Sequence, residues 1–139
     1  MNGIEYELQV AIMERLRTDQ NLLAAGVAVY DVLPDAGTYP YISIDSFTGT
    51  NYRSKTFDGV ELTVQISIVS VRAGQAESKK IAAMVRGALA TFLVLREGHV
   101  VDLQELSTER SIKYVEPEAV TPGVHQLVQE YRFKIKRGV

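Results

Sequence analysis

Val60-Glu61-Leu62-Thr63-Val64-Gln65-Ile66-Ser67-Ile68 is the stretch on which the fold turns. Every even position is aliphatic and every odd one polar, the period-two pattern of a strand with one wet face and one dry face. Asp58-Gly59 ahead of it reads as a turn. Val69-Ser70-Val71 then moves the apolar residues onto odd numbers, so the strand either bulges or becomes buried on both sides near its end. Arg72-Ala73-Gly74 breaks it, and from Gln75 the period becomes helical. Ile81, Val85, Ala88 and Phe92 fall on one stripe, with Ala82, Leu89 and Leu93 beside them. A strand and a helix of this kind, joined directly, bury both apolar faces against each other.

The rest of the chain completes that sheet and covers that helix. Upstream, Ile4, Leu8, Ile12 and Leu16 form the apolar stripe of a first helix, with Glu5, Glu7, Glu14, Arg15 and Arg17 elsewhere on the wheel. Thr18-Asp19-Gln20-Asn21 ends it or caps a short second helical turn, which Gly26 stops. Val27 to Val32 reads as a short strand closed by a loop at Pro34 and Gly37. Tyr39 to Phe47 is the next strand, with Pro40 confined to its start or to an edge because it cannot donate to a ladder. Residues 48 to 58 are polar and read as a long connection, functional or mobile, or as strands extended into a protruding ribbon. Downstream, His99 to Ser107 and Ser111 to Val115 are two further strands, followed by a loop with Pro117 and Pro122. In the last strand Leu127, Tyr131, Phe133 and Ile135 alternate with Val128, Glu130, Arg132 and Lys134. The order αβββαβββ predicts an α+β domain spanning residues 1–139: a mostly antiparallel sheet of five or six strands with two α-helices packed on one face.

Composition excludes several classes of function. Apolar residues at 46% and charged residues at 23% match an ordinary globular domain. Fifteen Lys and Arg against 17 Asp and Glu leave a net charge of −2, so the total charge points to no dedicated nucleic-acid binder. The absence of cysteine removes disulfides, thiolate metal sites and cysteine nucleophiles. Neither a signal peptide nor a membrane span is legible, and we expect a soluble protein made in the cytosol.

No reacting constellation emerges, and we expect no enzyme, cofactor or metal. His99 and His125 lie in different predicted strands without a ligand at metal spacing, and read as sheet-surface or loop residues. Ser43 and Ser67 lack a nucleophile elbow. Asp31, Asp35 and Asp45 are ordinary turn carboxylates that the fold is free to bring together. Two features rise above this background. Tyr52, Arg53, Lys55 and Phe57 form an aromatic and basic tip of the kind that anchors interfaces. Arg132, Lys134 and Lys136, continued by Arg137, form a basic alternation, either a solvated sheet face or the wall of something that meets phosphate or an acidic partner.

The chain resembles the tail completion, or tail terminator, proteins of long-tailed bacteriophages and of prophage-derived tail gene clusters. The resemblance runs through Val29-Tyr30-Asp31-Val32-Leu33-Pro34, Tyr39-Pro40-Tyr41-Ile42 and Lys55-Thr56-Phe57-Asp58-Gly59. It continues through Gly74-Gln75-Ala76-Glu77, the helix from Ile81 to Leu89, and Gly123-Val124-His125. It departs from the family pattern at Val69-Ser70, where members often carry a tryptophan. The resemblance implies a structural virion protein, assembled in the bacterial host cytoplasm, with no membrane involved. Such a protein forms a homo-oligomeric ring, typically a hexamer, that caps the head-proximal end of the tail tube and ends tube polymerisation. It then helps join tail to head. Its implied partners are the tail tube protein and the head–tail connector or neck proteins, with DNA passing through unread. A head-completion or neck protein of the same particle is the alternative, and a small-molecule-binding α+β domain a further one.

Overall fold

The computed structural model describes residues 2–31, 39–53, 58–71, 76–95, 99–114 and 124–136. Among these residues three helices and five strands follow one another: α1 (Asn2–Thr18), α2 (Gln20–Ala24), β1 (Ala28–Tyr30), β2 (Tyr41–Arg53), β3 (Asp58–Ser70), α3 (Ala76–Ala88), β4 (Val100–Tyr114) and β5 (Val124–Lys136). The sheet order is β1-β2-β3-β5-β4. β1 and β2 run parallel and all other neighbours antiparallel. The fold is therefore α+β with a mostly antiparallel sheet, as the hydrophobic periodicity predicts.

β3 holds the middle of the sheet. Val60, Leu62, Val64, Ile66 and Ile68 are all completely buried, so the even-numbered face is the one the helices cover. Near its end β3 becomes buried on both faces, since Ser67 and Val69 are inaccessible too. The register irregularity lies across the ladder in β2, between Ile44 and Ser46, and not in β3. Opposite, β5 contributes Leu127, Tyr131, Phe133 and Ile135 to the same core.

Three sequence expectations need correction. Asp58-Gly59 is not a turn, and of the two readings of residues 48 to 58 the extended ribbon is the one that holds for residues 48 to 53. Thr48 to Arg53 continue β2 in unbroken register with Thr63 to Asp58. Backbone ladder bonds form irrespective of side-chain polarity, so a polar run at a strand's far end mimics a loop. The two strands predicted at 99–107 and 111–115 are one, β4, with register shifts between Val101 and Leu103 and between Leu106 and Thr108. Each shift moves the side-chain phase by one residue, which erases the alternation. Finally α3 ends at Ala88, so Phe92 leaves the helical stripe and stands half exposed.

α1 buries Ile4, Leu8, Ile12 and Leu16, and α3 buries Ile81, Ala82, Val85 and Ala88. Asp19 caps α2, its Oδ2 accepting the Leu22 N–H at 3.1 Å, and Gly26 ends that turn with φ 70°, a conformation suited to glycine. The carboxyl end of α3 is held by two side chains. Arg15 on α1 donates to the carbonyls of Ala88 (2.8 Å), Thr91 (3.0 Å) and Phe92 (3.4 Å). Gln104 on β4 donates to those of Leu89 (2.7 Å) and Thr91 (2.9 Å) and accepts the Leu93 N–H at 2.9 Å.

Phe133 of β5, opposite Leu62 of β3, is completely buried. Phe133→Ala is expected to lower unfolding free energy by about 3–5 kcal/mol in urea titrations, as cavity-forming core truncations do.

Candidate functional site

On the face away from the helices, the basic alternation of β5 meets acids from both neighbouring strands. Arg132 stands opposite Thr63 on β3 and Glu105 on β4. Its Nη2 pairs with Glu105 and its Nε lies 3.8 Å from Glu61. All three side chains are substantially solvated, so the pairs add little stability. Their effect is on charge. Lys134 stands opposite Glu61, and both Lys134 and Lys136 are engaged with other groups. The stripe is thus a mixed-charge sheet face and not a bare basic wall.

Further along this face a polar network crosses three strands. Asp45, at the β2 irregularity, accepts from Ser43 Oγ (2.7 Å), Gln65 Nε2 (3.3 Å) and Ser67 Oγ, and Gln126 Nε2 donates to Ser67 Oγ at 2.9 Å. Neither serine has a histidine partner here, so the contacts order strands without activating a nucleophile. Asp31 is held separately by Gln9, and Asp35 lies outside the described residues. Beyond the network, Tyr41 packs against Tyr30 and Tyr39 with ring centroids 5.8 and 5.4 Å apart. Burial raises the Tyr41 hydroxyl above the ordinary tyrosine range, with Tyr39 and Asp45 adding to it.

His99 is a loop residue, as expected, whereas His125 is buried within a strand. His99 Nδ1 lies 2.9 Å from Glu7 Oε2, joining the start of β4 to α1. His125 is buried in β5 opposite Ser70, because the sheet end it occupies is covered.

The helix-facing side of β5 is not purely apolar. Gln129 is completely buried there, its Nε2 donating to the Ala82 carbonyl (3.2 Å) and to Glu109 (2.8 Å). Tyr131 donates its hydroxyl to Gln129 Oε1 at 3.1 Å, and Arg86 of α3 pairs with the same Glu109. Burial pushes the Tyr131 hydroxyl far up, opposed by Arg86 and assisted by Glu109. The alternation of residues 127 to 135 hid this cluster, because one polar residue within an apolar phase reads as noise. All its members are occupied with one another, so it stitches α3 to β4 and β5.

Of the predicted docking tip, Tyr52 and Arg53 are the last residues of β2, paired with Gly59 and Asp58. Lys55 and Phe57 lie outside the described residues. A surface the sequence reading missed lies at the other side of the helical layer. Tyr6 (68% exposed), Val94 (88%) and Val100 (54%) gather there; Val94 and Val100 form an antiparallel bridge. Tyr6 and Val94 line a groove with Val10, Leu95 and the carboxylates of Glu7 and Glu14. The signal was Tyr6, an aromatic on the polar flank of an amphipathic helix.

Among the described residues no group of His, Cys, Asp and Glu is arranged to hold a metal ion, and no helix is long and apolar enough to cross a membrane.

The family model described as Tail completion protein gp17 matches residues 10–136, and the chain belongs to that family. It is a structural protein of a phage-type virion tail. Among solved structures, it is similar to a protein in the virion of a native gene transfer agent particle, at 27% identity and TM-score 0.82, covering 98% of this chain and 99% of that one. The gp17 protein of bacteriophage SPP1 shares the fold at 23% identity and TM-score 0.56, over 96% of this chain and 92% of that one. No curated protein sequence matches this chain.

The Tyr131 cluster carries a pH signature. Its folded pKa is raised, so its contribution is fully present below the ordinary tyrosine value of about 10 and is lost as pH rises beyond it. Tyr131→Phe is expected to cost about 1–3 kcal/mol at neutral pH by leaving Gln129 Oε1 without its donor. Its stability is also expected to fall less steeply than the wild type's in denaturant titrations above about pH 10.

Proposed function

We propose that this protein caps the head-proximal end of a tail tube as a closed ring of identical subunits, a hexamer as in the family it resembles. In this reading it ends addition of the tube subunit and offers its outer face to the connector or neck proteins of the head. The observation that carries the reading is the end-to-end likeness to a virion protein: one fold accounts for nearly the whole of both chains.

The mixed-charge face of β5 fits the passage of DNA. A row of unpaired cations along a lumen would hold phosphates and release counterions, and translocating DNA would stick. Carboxylates on both sides of Arg132 weaken that attraction. Arg132, Lys134 and Lys136 are on this reading contacts to the lumen or to a neighbouring subunit, made weak towards DNA by their acidic neighbours. Tyr52, Arg53, Lys55 and Phe57, at the junction of β2 and β3, are the docking element towards the next component of the particle.

The first test is the mass of the purified protein across a concentration range, alone and with the tail tube protein. A ring, formed alone or only on the tube, is expected, together with tubes that stop elongating once it is added. A persistent monomer that leaves tube growth unchanged would overturn the reading. A protein that binds the connector but never the tube would assign it to the neck instead. The docking element has its own test: replacing Tyr52, Arg53 and Lys55 together by alanine is expected to leave the circular dichroism spectrum intact and to abolish tail completion. Normal joining by that triple variant would remove the docking role.

A further inference from the structure

The sheet has two outer sides, and among the described residues each is open over part of its length. β1 reaches only from Ala28 to Tyr30 and pairs with Tyr41, Ile42 and Ser43 of β2. Beyond Ser43 the strand paired with β2 is β3 alone, and from Ser46 to Arg53 that ladder is regular. Ser46 and Thr48 stand exposed there. On the far side of the sheet β4 is bordered by β5, with the bridge of Val94 to Val100 closing only its first residue.

The two halves of β4 differ. The first carries both register shifts, and its Gln104 is spent on the residues that follow α3. An incoming strand finds no regular row of N–H and C=O groups in that half. From Thr108 to Tyr114 the register with β5 is unbroken. Ser107, Thr108, Glu109, Arg110 and Ser111 are all exposed, whereas a strand covered on one face would alternate. The outer side of this stretch is open. Backbone groups that face outward from a regular strand are a template for another strand.

We infer that Thr108–Tyr114 of β4 pairs antiparallel with Ser46–Arg53 of β2 from a second copy of this chain, so that the sheet continues from subunit to subunit. Strand direction supports the match. Three antiparallel steps separate β2 from β4, so the two run in opposite senses. A copy set alongside with the same face and the same heading therefore brings its β2 against β4 in the antiparallel sense. The lengths agree, eight regular residues of β2 facing seven of β4. Ser46 to Tyr52 carry no charge, so no like charge is set against Glu109 or Arg110. Pairing β4 with β4 about a two-fold axis would leave the β2 side open and stop at a dimer. Pairing β2 with β4 covers both sides in every copy and closes into a ring where the rotation permits. This inference rests on the ring reading proposed above and names the main-chain contact that makes the ring.

The chain has no cysteine, so introduced ones report alone. Register places Thr48, Arg110 and Ile112 on the face of Arg132, and Ser111 on the opposite face. Under oxidation, with tube protein present if assembly requires it, Thr48→Cys mixed with Arg110→Cys or Ile112→Cys is expected to give a covalent dimer. Thr48→Cys mixed with Ser111→Cys is expected to give none. Assembly is also expected to slow amide hydrogen exchange about tenfold or more at alternate residues from Thr108 to Tyr114. Of Arg110→Pro and Ser111→Pro, the one whose N–H faces outward is expected to fold and to raise the half-assembly concentration about tenfold. A wild-type ring without the same-face cross-links, its 108–114 amides exchanging as in the monomer, would overturn the contact and leave the ring reading intact. A covalent dimer from Ile112→Cys alone would give this side of β4 to a two-fold pair and overturn the contact likewise. A wild type that assembles under neither condition would overturn both.

Discussion

A sheet whose middle strand hides five aliphatic side chains completely must be roofed by helices, and the roof must end somewhere. Here it ends above β4, where the last carbonyls of α3 would otherwise face a crowded junction without partners. Arg15 from α1 and Gln104 from β4 take up those carbonyls together. The arrangement does more than terminate a helix. It fixes α3 against α1 on one side and the sheet edge on the other, and so sets where residues 93 to 95 emerge. Leu93 and Leu95 turn inward while Val94 turns out. The exposed Val94–Val100 bridge and its groove with Tyr6 are a consequence of how this helix stops. At the other end, the Glu77–Ser70 contact does the corresponding work, tying the first turn of α3 to the end of β3.

Much of this was legible because burial imposes a period. The alternation in residues 60 to 68 identified β3, its dry face and its central place, and the stripes of α1 and α3 followed from spacing alone. What periodicity cannot see is hydrogen bonding that does not depend on side-chain type. Thr48 to Arg53 look like a loop because they are polar, yet their backbones complete the β2–β3 ladder beyond the part covered by helices. β4 looks like two strands because its irregularities reset the phase twice. Irregularities of this kind belong to edge strands, where a bent ladder also discourages unwanted pairing. The end of α3 was misread for a related reason: Phe92 continues the spacing of the stripe after the chain has ceased to be helical.

Surfaces were harder to read than elements. The resemblance carried the family, and the fold and the family model bear it out. The basic residues of β5 were visible, but their acidic neighbours come from β3 and β4, far away in sequence, and only register brings Glu61 and Glu105 to Arg132. Gln129 was invisible because a single amide in an apolar phase carries no periodic signal. Its necessity appears only when Glu109 and the Ala82 carbonyl are seen converging on it.

The distribution of charge also bears on the proposed role. A ring subunit through which DNA moves needs strong contacts to its neighbours and weak ones to phosphate. On one sheet face, acids interleave with bases, which suits a wall that polyanions pass. Over the helices the charges are mixed as well: Glu77 stands in the first turn of α3 and Arg86 in its last, and Arg15 is spent on the carbonyls where the helix stops. Net charge of −2 therefore says little about what this chain binds. Charges interleaved as closely as Arg132, Glu61 and Glu105 largely cancel beyond a Debye length, about 8 Å at physiological salt. The near-neutral composition is thus compatible with a wall that DNA passes without being held.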